Sequence, residues 1–167
     1  NHRKLLVVDS HIAFTGSQNI IEPGYRKKRH RISGLTWLDL MIKIEGPIAD
    51  SLEALFVSDW YQETDELLET PQPEPTVTNE SASLWGQVVP SGPAFEGENN
   101  LRLFNAMVYG ARERLILSSP YFVPDESMRY AITTAAERGV DVNLMVSEIA
   151  DQNFVFYAQR SYYDELL

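Results

Sequence analysis

The strongest constraint on the fold is a strand–helix–strand pattern over residues 114–146. Two apolar runs, RLILSS and VDVNLMV, flank a segment whose apolar residues recur at helical spacing. Asp125 is placed to cap the helix and Gly139 to end it. A helix that links two neighbouring strands makes them parallel, so we expect an α/β fold class with mixed, mostly parallel sheets covered by helices.

The rest of the chain continues this alternation. KLLVVD and IAFTG predict two strands joined by a short turn, and WLDLMIKIEG predicts a third strand. Pro47 begins a predicted amphipathic helix that reaches about residue 69. The later predictions are a strand at LWGQVV, a helix that includes Leu101, Phe104, Val108 and Ala111, and a final helix from Asp151 to beyond Leu167.

A proline-rich segment interrupts the pattern at residues 70–83, TPQPEPTVTNESAS. Its prolines and small polar residues favour an extended, solvated connection. We therefore expect one domain part at 1–69, a linker at 70–83 and a second domain part at 84–167.

Composition excludes two classes of structure. The longest apolar run is five residues, at 154–158, whereas a membrane-spanning helix needs about 20. The chain has no cysteine, so disulfides and thiolate metal sites are excluded.

Charge is distributed unevenly. The formal net charge of the chain is −10. Residues 1–31 carry a net charge of +5, so the remaining 136 residues carry a net charge of −15. The basic run RKKRHR comprises Arg26, Lys27, Lys28, Arg29, His30 and Arg31. Such a run can bind phosphates on an anionic membrane surface, or it can be a solvated loop. The acidic remainder argues against a general nucleic-acid binder, so nucleic acid is not an expected partner.

The residues whose side chains could take part in catalysis are concentrated in the opening stretch, NHRKLLVVDSHIAFTGSQN. His2 and Lys4 are two residues apart, so they point to the same face of a strand. Asp9 follows, and then Gly16-Ser-x-Asn. A lone strand histidine is more often structural, and His-x-Lys alone arises by chance; the joined spacing is much more specific.

This joined pattern resembles the HKD motif of the phospholipase D superfamily. His2, Lys4, Asp9, Ser17 and Asn19 each occupy a matching position. Three later segments, at 37–60, 88–93 and 118–146, are similar to the corresponding segments of bacterial cardiolipin synthases.

The resemblance implies a protein of two similar α/β halves, each of which contributes one HKD motif to a shared site. Neither His11 nor His30 begins a second His-x-Lys. We therefore expect an internal fragment that contains the first motif and half of an active site. The resemblance to this superfamily implies a reaction that needs no metal and no other cofactor.

The resemblance also implies roles for the motif residues. His2 would be the nucleophile that forms a phosphohistidine, and Lys4 and Asn19 would hold phosphate oxygens. Asp39 would accept a hydrogen bond from the imidazole, although it also fits a surface strand. Asp9 is expected to be a structural hydrogen-bonding group rather than a direct participant.

Other residues are predicted to bind substrate. Tyr121 and Phe122 follow a strand, where α/β sheets often place ligand contacts, but they fit equally well as core aromatics. Gly92 would allow close approach of a phosphate to the backbone. The predicted substrate-binding set is Ser17, Ser91, Gly92, Tyr121, Phe122, Arg26, Lys27 and Lys28.

Three hypotheses on function follow. The first is a phosphatidyltransferase that makes cardiolipin from two phosphatidylglycerols, or from a related lipid donor, with its soluble catalytic domain at the surface of the bacterial inner membrane. The second is a hydrolase of the same superfamily, either a phospholipase or a nuclease. The third is a folded but inert fragment, or an interaction module.

Overall fold

The computed structural model describes residues 2–22, 25, 28–34, 36–70, 84–92, 94–149 and 152–167. The chain divides into two compact units, Asn1–Pro90 and Ser91–Leu167. The expected linker at 70–83 lies almost entirely outside the described residues, so the domain boundaries there stay a prediction.

The first unit contains a three-stranded antiparallel sheet. Strands β1 (Leu5–Val8) and β2 (Ile12–Gly16) form a hairpin, and β3 (Met41–Glu45) pairs with the other edge of β2. The turn between β1 and β2 has only three residues, which is too short for the crossover that parallel strands need. Both pairings are antiparallel, so the expectation of mostly parallel sheets is wrong for this unit.

Two helices accompany the first sheet. The short helix α1 (Lys28–Ser33) begins in the basic run and ends two residues after it. Helix α2 (Pro47–Thr64) begins at the predicted proline. It ends five residues before the predicted end, because Asp65 adopts a left-handed conformation with φ 57° and donates its N–H to the carbonyl of Tyr61.

The core of the first unit joins α2 to the sheet. Ala13 and Ala49 are fully buried and Leu52 is nearly so. Val88 packs against this cluster, and a Cβ at Gly86 would lie 2.6 Å from Cδ1 of Ile48. Gly86 and Val88 therefore lie against the first unit, residues 84–90 have no regular secondary structure, and the predicted strand at LWGQVV is wrong.

The second unit contains the predicted strand–helix–strand pattern. Its elements are α3 (Asn99–Gly110), β4 (Arg114–Ser119), α4 (Glu126–Glu137), β5 (Asp141–Val146), α5 (Asn153–Arg160) and α6 (Tyr163–Leu166). Strands β4 and β5 pair in parallel. The Asp125 carboxylate accepts a hydrogen bond of 2.8 Å from the backbone N–H of Met128, and Gly139 has φ 87°. The parallel pair and both helix signals are confirmed.

The core of this unit lies where α3 and α4 pack against the parallel pair. Its buried members are Val108, Phe122, Ala131, Ile132, Ala135 and Val140. The predicted single final helix is wrong between residues 152 and 167, because Ser161 and Tyr162 form a turn that separates α5 from α6.

Candidate active site

The register of the first sheet gathers three segments at one end. Leu5 pairs with Thr15, and Gly16 pairs with Met41. The chain before β1, after β2 and before β3 therefore leaves the sheet at the same end. These segments carry the predicted site residues His2, Lys4, Ser17, Asn19 and Asp39.

The segments after β2 and before β3 are joined through Ser17. Its hydroxyl donates to Oδ1 of Asp39 at 2.8 Å and accepts from the N–H of Leu40 at 3.0 Å. The N–H of Ser17 also donates to the carbonyl of Leu40 at 2.9 Å. Ser17 therefore holds the Asp39 carboxylate beside the end of β2.

Gly16 permits this close approach of β2 and β3. A Cβ at this position would lie 2.1 Å from the carbonyl oxygen of Leu40 and 2.9 Å from Cα of Met41. Both are backbone atoms, which cannot move away as the end of a side chain can. The glycine of the Gly-Ser-x-Asn pattern is thus required by the sheet itself.

His2 and Lys4 precede β1. The Lys4 ammonium donates to the backbone carbonyl of His2 at 2.6 Å, and the His2 side chain is exposed. The ammonium group of Lys4 therefore lies beside the backbone of the residue that carries the imidazole.

Asn19 has an aromatic partner that the sequence reasoning missed. Its side-chain Nδ2 donates to the hydroxyl of Tyr25 at 2.5 Å, and the ring of Tyr25 contacts that of Trp37 edge-on at 6.1 Å between centroids. An amide nitrogen has two hydrogens, so the bond to Tyr25 uses one of the two donors of Asn19. The hydrophobic periodicity of the sequence gives no signal at Tyr25, because Tyr25 lies in a turn rather than in a helix or strand.

Asp9 lies away from this cluster. It forms, with Ser10 and His11, the hairpin turn at the opposite end of β1, about 24 Å along the extended chain from His2. Asp9 and Ser10 have φ of 52° and 53°, and the Ser10 hydroxyl donates to Glu53 at 2.7 Å. The structure therefore does not bring Asp9 together with the other motif residues.

Lys43 and Glu45 form an exposed ion pair on β3. A hydrogen bond from Lys43 and its positive charge lower the pKa of the Glu45 carboxyl. Among the parts of the chain that the structure describes, no group of three or more His, Asp or Glu side chains is arranged to hold a metal ion.

In the second unit, Tyr121 and Phe122 follow the carboxyl end of β4, as predicted. Phe122 is a buried core residue, whereas Tyr121 is 39% exposed. The N–H of Phe122 donates at 3.0 Å to the side-chain carbonyl of Gln159, which is 2% exposed. Gln159 also donates to the hydroxyl of Tyr163 at 2.7 Å.

Two other regions with predicted binding residues are described only in part, and their binding roles stay predictions. In the loop at 88–93, Gly92 is exposed with φ 136°, and its carbonyl accepts from the N–H of Phe95; Ser91 is partly exposed. In the basic run, Lys28 is exposed and His30 is buried, whereas Arg26 and Lys27 lie outside the described residues. His30 therefore differs from Lys28, the other residue of the run whose side chain the structure describes.

Comparison with known proteins finds similarity to cardiolipin synthases. The family model described as "Cardiolipin synthase, PLD-like domain" matches residues 105–167. Cardiolipin synthase A from Yersinia pseudotuberculosis serotype O:1b (strain IP 31758) is 38% identical over 99% of this chain. The protein of the same name from Pectobacterium carotovorum subsp. carotovorum (strain PC1) is 39% identical over the same share.

The match covers 34% of the length of each of these two relatives, so the chain spans about a third of them. Within the described ranges, no helix is both long enough and apolar enough to cross a membrane. The similarity extends over both units and over the motif at the end of the first sheet. The chain is therefore similar over nearly its whole length to about a third of the cardiolipin synthases, and its residues 105–167 match their PLD-like domain.

Proposed function

We propose that this chain supplies the first half of the active site of a phosphatidyltransferase that forms cardiolipin from phosphatidylglycerol. The observation that carries the proposal is the convergence of His2, Lys4, Ser17, Asn19 and Asp39 at one end of the first sheet. The relatives named cardiolipin synthase A support the same reaction class.

The reaction would proceed in two displacements at phosphorus. The His2 imidazole attacks the phosphorus of phosphatidylglycerol, and the bond from phosphorus to the glycerol headgroup breaks. An acid from the other half of the site protonates the departing glycerol. A hydroxyl of a second phosphatidylglycerol then attacks the phosphohistidine while the conjugate base of that acid accepts the hydroxyl proton. The bond from phosphorus to the imidazole nitrogen breaks, which yields cardiolipin and free His2.

The neighbouring side chains would stabilise this reaction. The Lys4 ammonium and the second amide hydrogen of Asn19 are donors for the phosphate oxygens, where negative charge develops. The Asp39 carboxylate, held by Ser17, would orient the imidazole and stabilise its charged form. In the second unit, Tyr121 together with Ser91 and Gly92 would contact the substrate.

The basic run would bring the protein to its substrate. Exposed Lys28 and the neighbouring basic residues would attract anionic lipid headgroups. This places the proposed site of action at the surface of the bacterial inner membrane, with phosphatidylglycerol as the lipid partner.

A hydrolase is the second candidate, since water can resolve a phosphohistidine as an alcohol does. A phospholipase D-type phosphodiesterase or a nuclease would use the same residues.

The isolated 167-residue chain is expected to be inert in either case, because the mechanism needs two imidazoles at motif positions and this chain has one.

A chimera tests the proposal. This chain replaces the matched third of Yersinia pseudotuberculosis cardiolipin synthase A, and phosphatidylglycerol is supplied in vesicles. We expect cardiolipin and glycerol as products, and their loss in His2→Ala but not in the control His11→Ala, an exposed histidine in the hairpin turn. Phosphatidic acid in place of cardiolipin would favour the hydrolase, and full activity of His2→Ala would exclude the nucleophile.

A further inference from the structure

An ion pair joins the segment that carries His2 and Lys4 to α2. The guanidinium Nη1 of Arg3 lies 2.6 Å and 2.8 Å from the two carboxylate oxygens of Asp59. The two side chains are only 22% and 19% exposed. Solvent therefore screens this pair less than it screens the exposed pairs elsewhere on the chain.

Residues 2–4 take no part in the pairing of β1 with β2, which begins at Leu5. The sheet ladder therefore does not fix the backbone that carries His2 and Lys4. Adjacent residues of an extended segment point to opposite sides, so Arg3 points away from the two motif side chains. Its contact with Asp59 restrains the segment without occupying the face where a phosphate would bind.

Helix α2 gives this contact a rigid partner. Ala49 and Leu52 of α2 are buried against Ala13 of the central strand. Asp59 is therefore held at a fixed position relative to the sheet. Its ion pair with Arg3 limits the movement of the backbone on either side of Arg3, where His2 and Lys4 lie.

We propose that Arg3 and Asp59 are positioning residues for His2 and Lys4. Their ion pair holds the backbone of residues 2–4 so that the imidazole and the ammonium lie at the same end of the sheet as Ser17 and Asn19. The catalytic consequence rests on the proposed function, whereas the restraint on His2 does not depend on it.

The first experiment measures the restraint in the whole 167-residue chain. The variants are Arg3→Gln, Asp59→Asn and the charge swap Arg3→Asp with Asp59→Arg. The matched control is Arg114→Gln, which removes an exposed ion pair of the second unit. Amide hydrogen exchange at residues 3–5 and the NMR signals of the His2 ring are recorded for each.

We expect exchange at residues 3–5 to become about tenfold faster in both single variants, and the His2 ring signals to move toward those of an unstructured peptide. The charge swap should restore part of both changes, and the control should show neither. His2 signals that match the control would overturn the proposal, even with faster exchange, because the pair would then stabilise the segment without positioning the ring.

The second experiment measures kcat and KM for phosphatidylglycerol in the chimera. We expect kcat to fall about tenfold in Asp59→Asn, with KM changed by less than about twofold, since the pair does not contact substrate. An unchanged kcat would overturn the catalytic consequence. A chimera that is inactive with the unsubstituted chain would refute the proposed function, and the His2 signals would still decide whether Arg3 and Asp59 position the ring.

Discussion

The hydroxyl of Ser17 bridges two segments, because it lies 2.8 Å from Oδ1 of Asp39 and 3.0 Å from the backbone nitrogen of Leu40. One small side chain thus holds a carboxylate beside the end of β2 and also extends the pairing of β2 with β3 by one residue. The serine of the Gly-Ser-x-Asn pattern therefore has a role within the protein that does not require contact with substrate.

Ser17→Ala should lower the free energy of unfolding by about 0.5–1 kcal/mol, because the N–H of Leu40 and the Asp39 carboxylate both lose an exposed hydrogen bond that water replaces in part. Ser17→Thr keeps the hydroxyl and should retain most of the stability. Urea denaturation of the 167-residue chain measures both. The control is Ser51→Ala on the exposed face of α2, and a Ser17→Ala variant as stable as this control would contradict the prediction.

Gly16→Ala should destabilise the first unit by about 2–3 kcal/mol, because the added Cβ would overlap the carbonyl of Leu40. Gly110→Ala is the matched control, since no atom lies within 4 Å of a Cβ at that helical position. It should be neutral or stabilising by up to about 1 kcal/mol. Thermal unfolding compares the two, and equal effects would show that β2 and β3 are not as close as described.

Gln159→Leu should lower the free energy of unfolding by about 2 kcal/mol, because it leaves the buried N–H of Phe122 without its acceptor. Tyr163→Phe removes only the second hydrogen bond of Gln159 and should cost less. Gln62→Leu, at an exposed position of α2, is the control. Exchange of the Phe122 amide should accelerate in Gln159→Leu alone, and protection equal to the unsubstituted chain would refute this role of Gln159.

Replacing Arg26, Lys27, Lys28, Arg29 and Arg31 by serine should weaken binding to phosphatidylglycerol vesicles, since each basic residue near an anionic bilayer contributes about 1 kcal/mol. His30 is retained because it is buried. Vesicle sedimentation at low salt measures the effect, and Arg112→Ser with Arg114→Ser serves as a control outside the run. Unchanged binding would mean that the run is a solvated surface.

Local signals predicted most of the second unit. The Asp125 cap, the Gly139 stop and the two flanking apolar runs act within a few residues, so they can be interpreted without knowledge of the fold. The prediction failed where packing decided the outcome. LWGQVV has the pattern of a strand, yet Gly86 and Val88 pack against the first unit as irregular backbone.

The spacing of the motif residues, by itself, indicated the superfamily and which side chains could act on a phosphate. Only the tertiary structure decided which side chains, in the motif and elsewhere, contact one another. Ser17 and Asp39 are 22 positions apart, Phe122 and Gln159 are 37 apart, and Arg3 and Asp59 are 56 apart. Such pairs depend on strand register and on how a helix packs onto its sheet, and those arise from the sum of many weak contacts rather than from any short stretch of sequence.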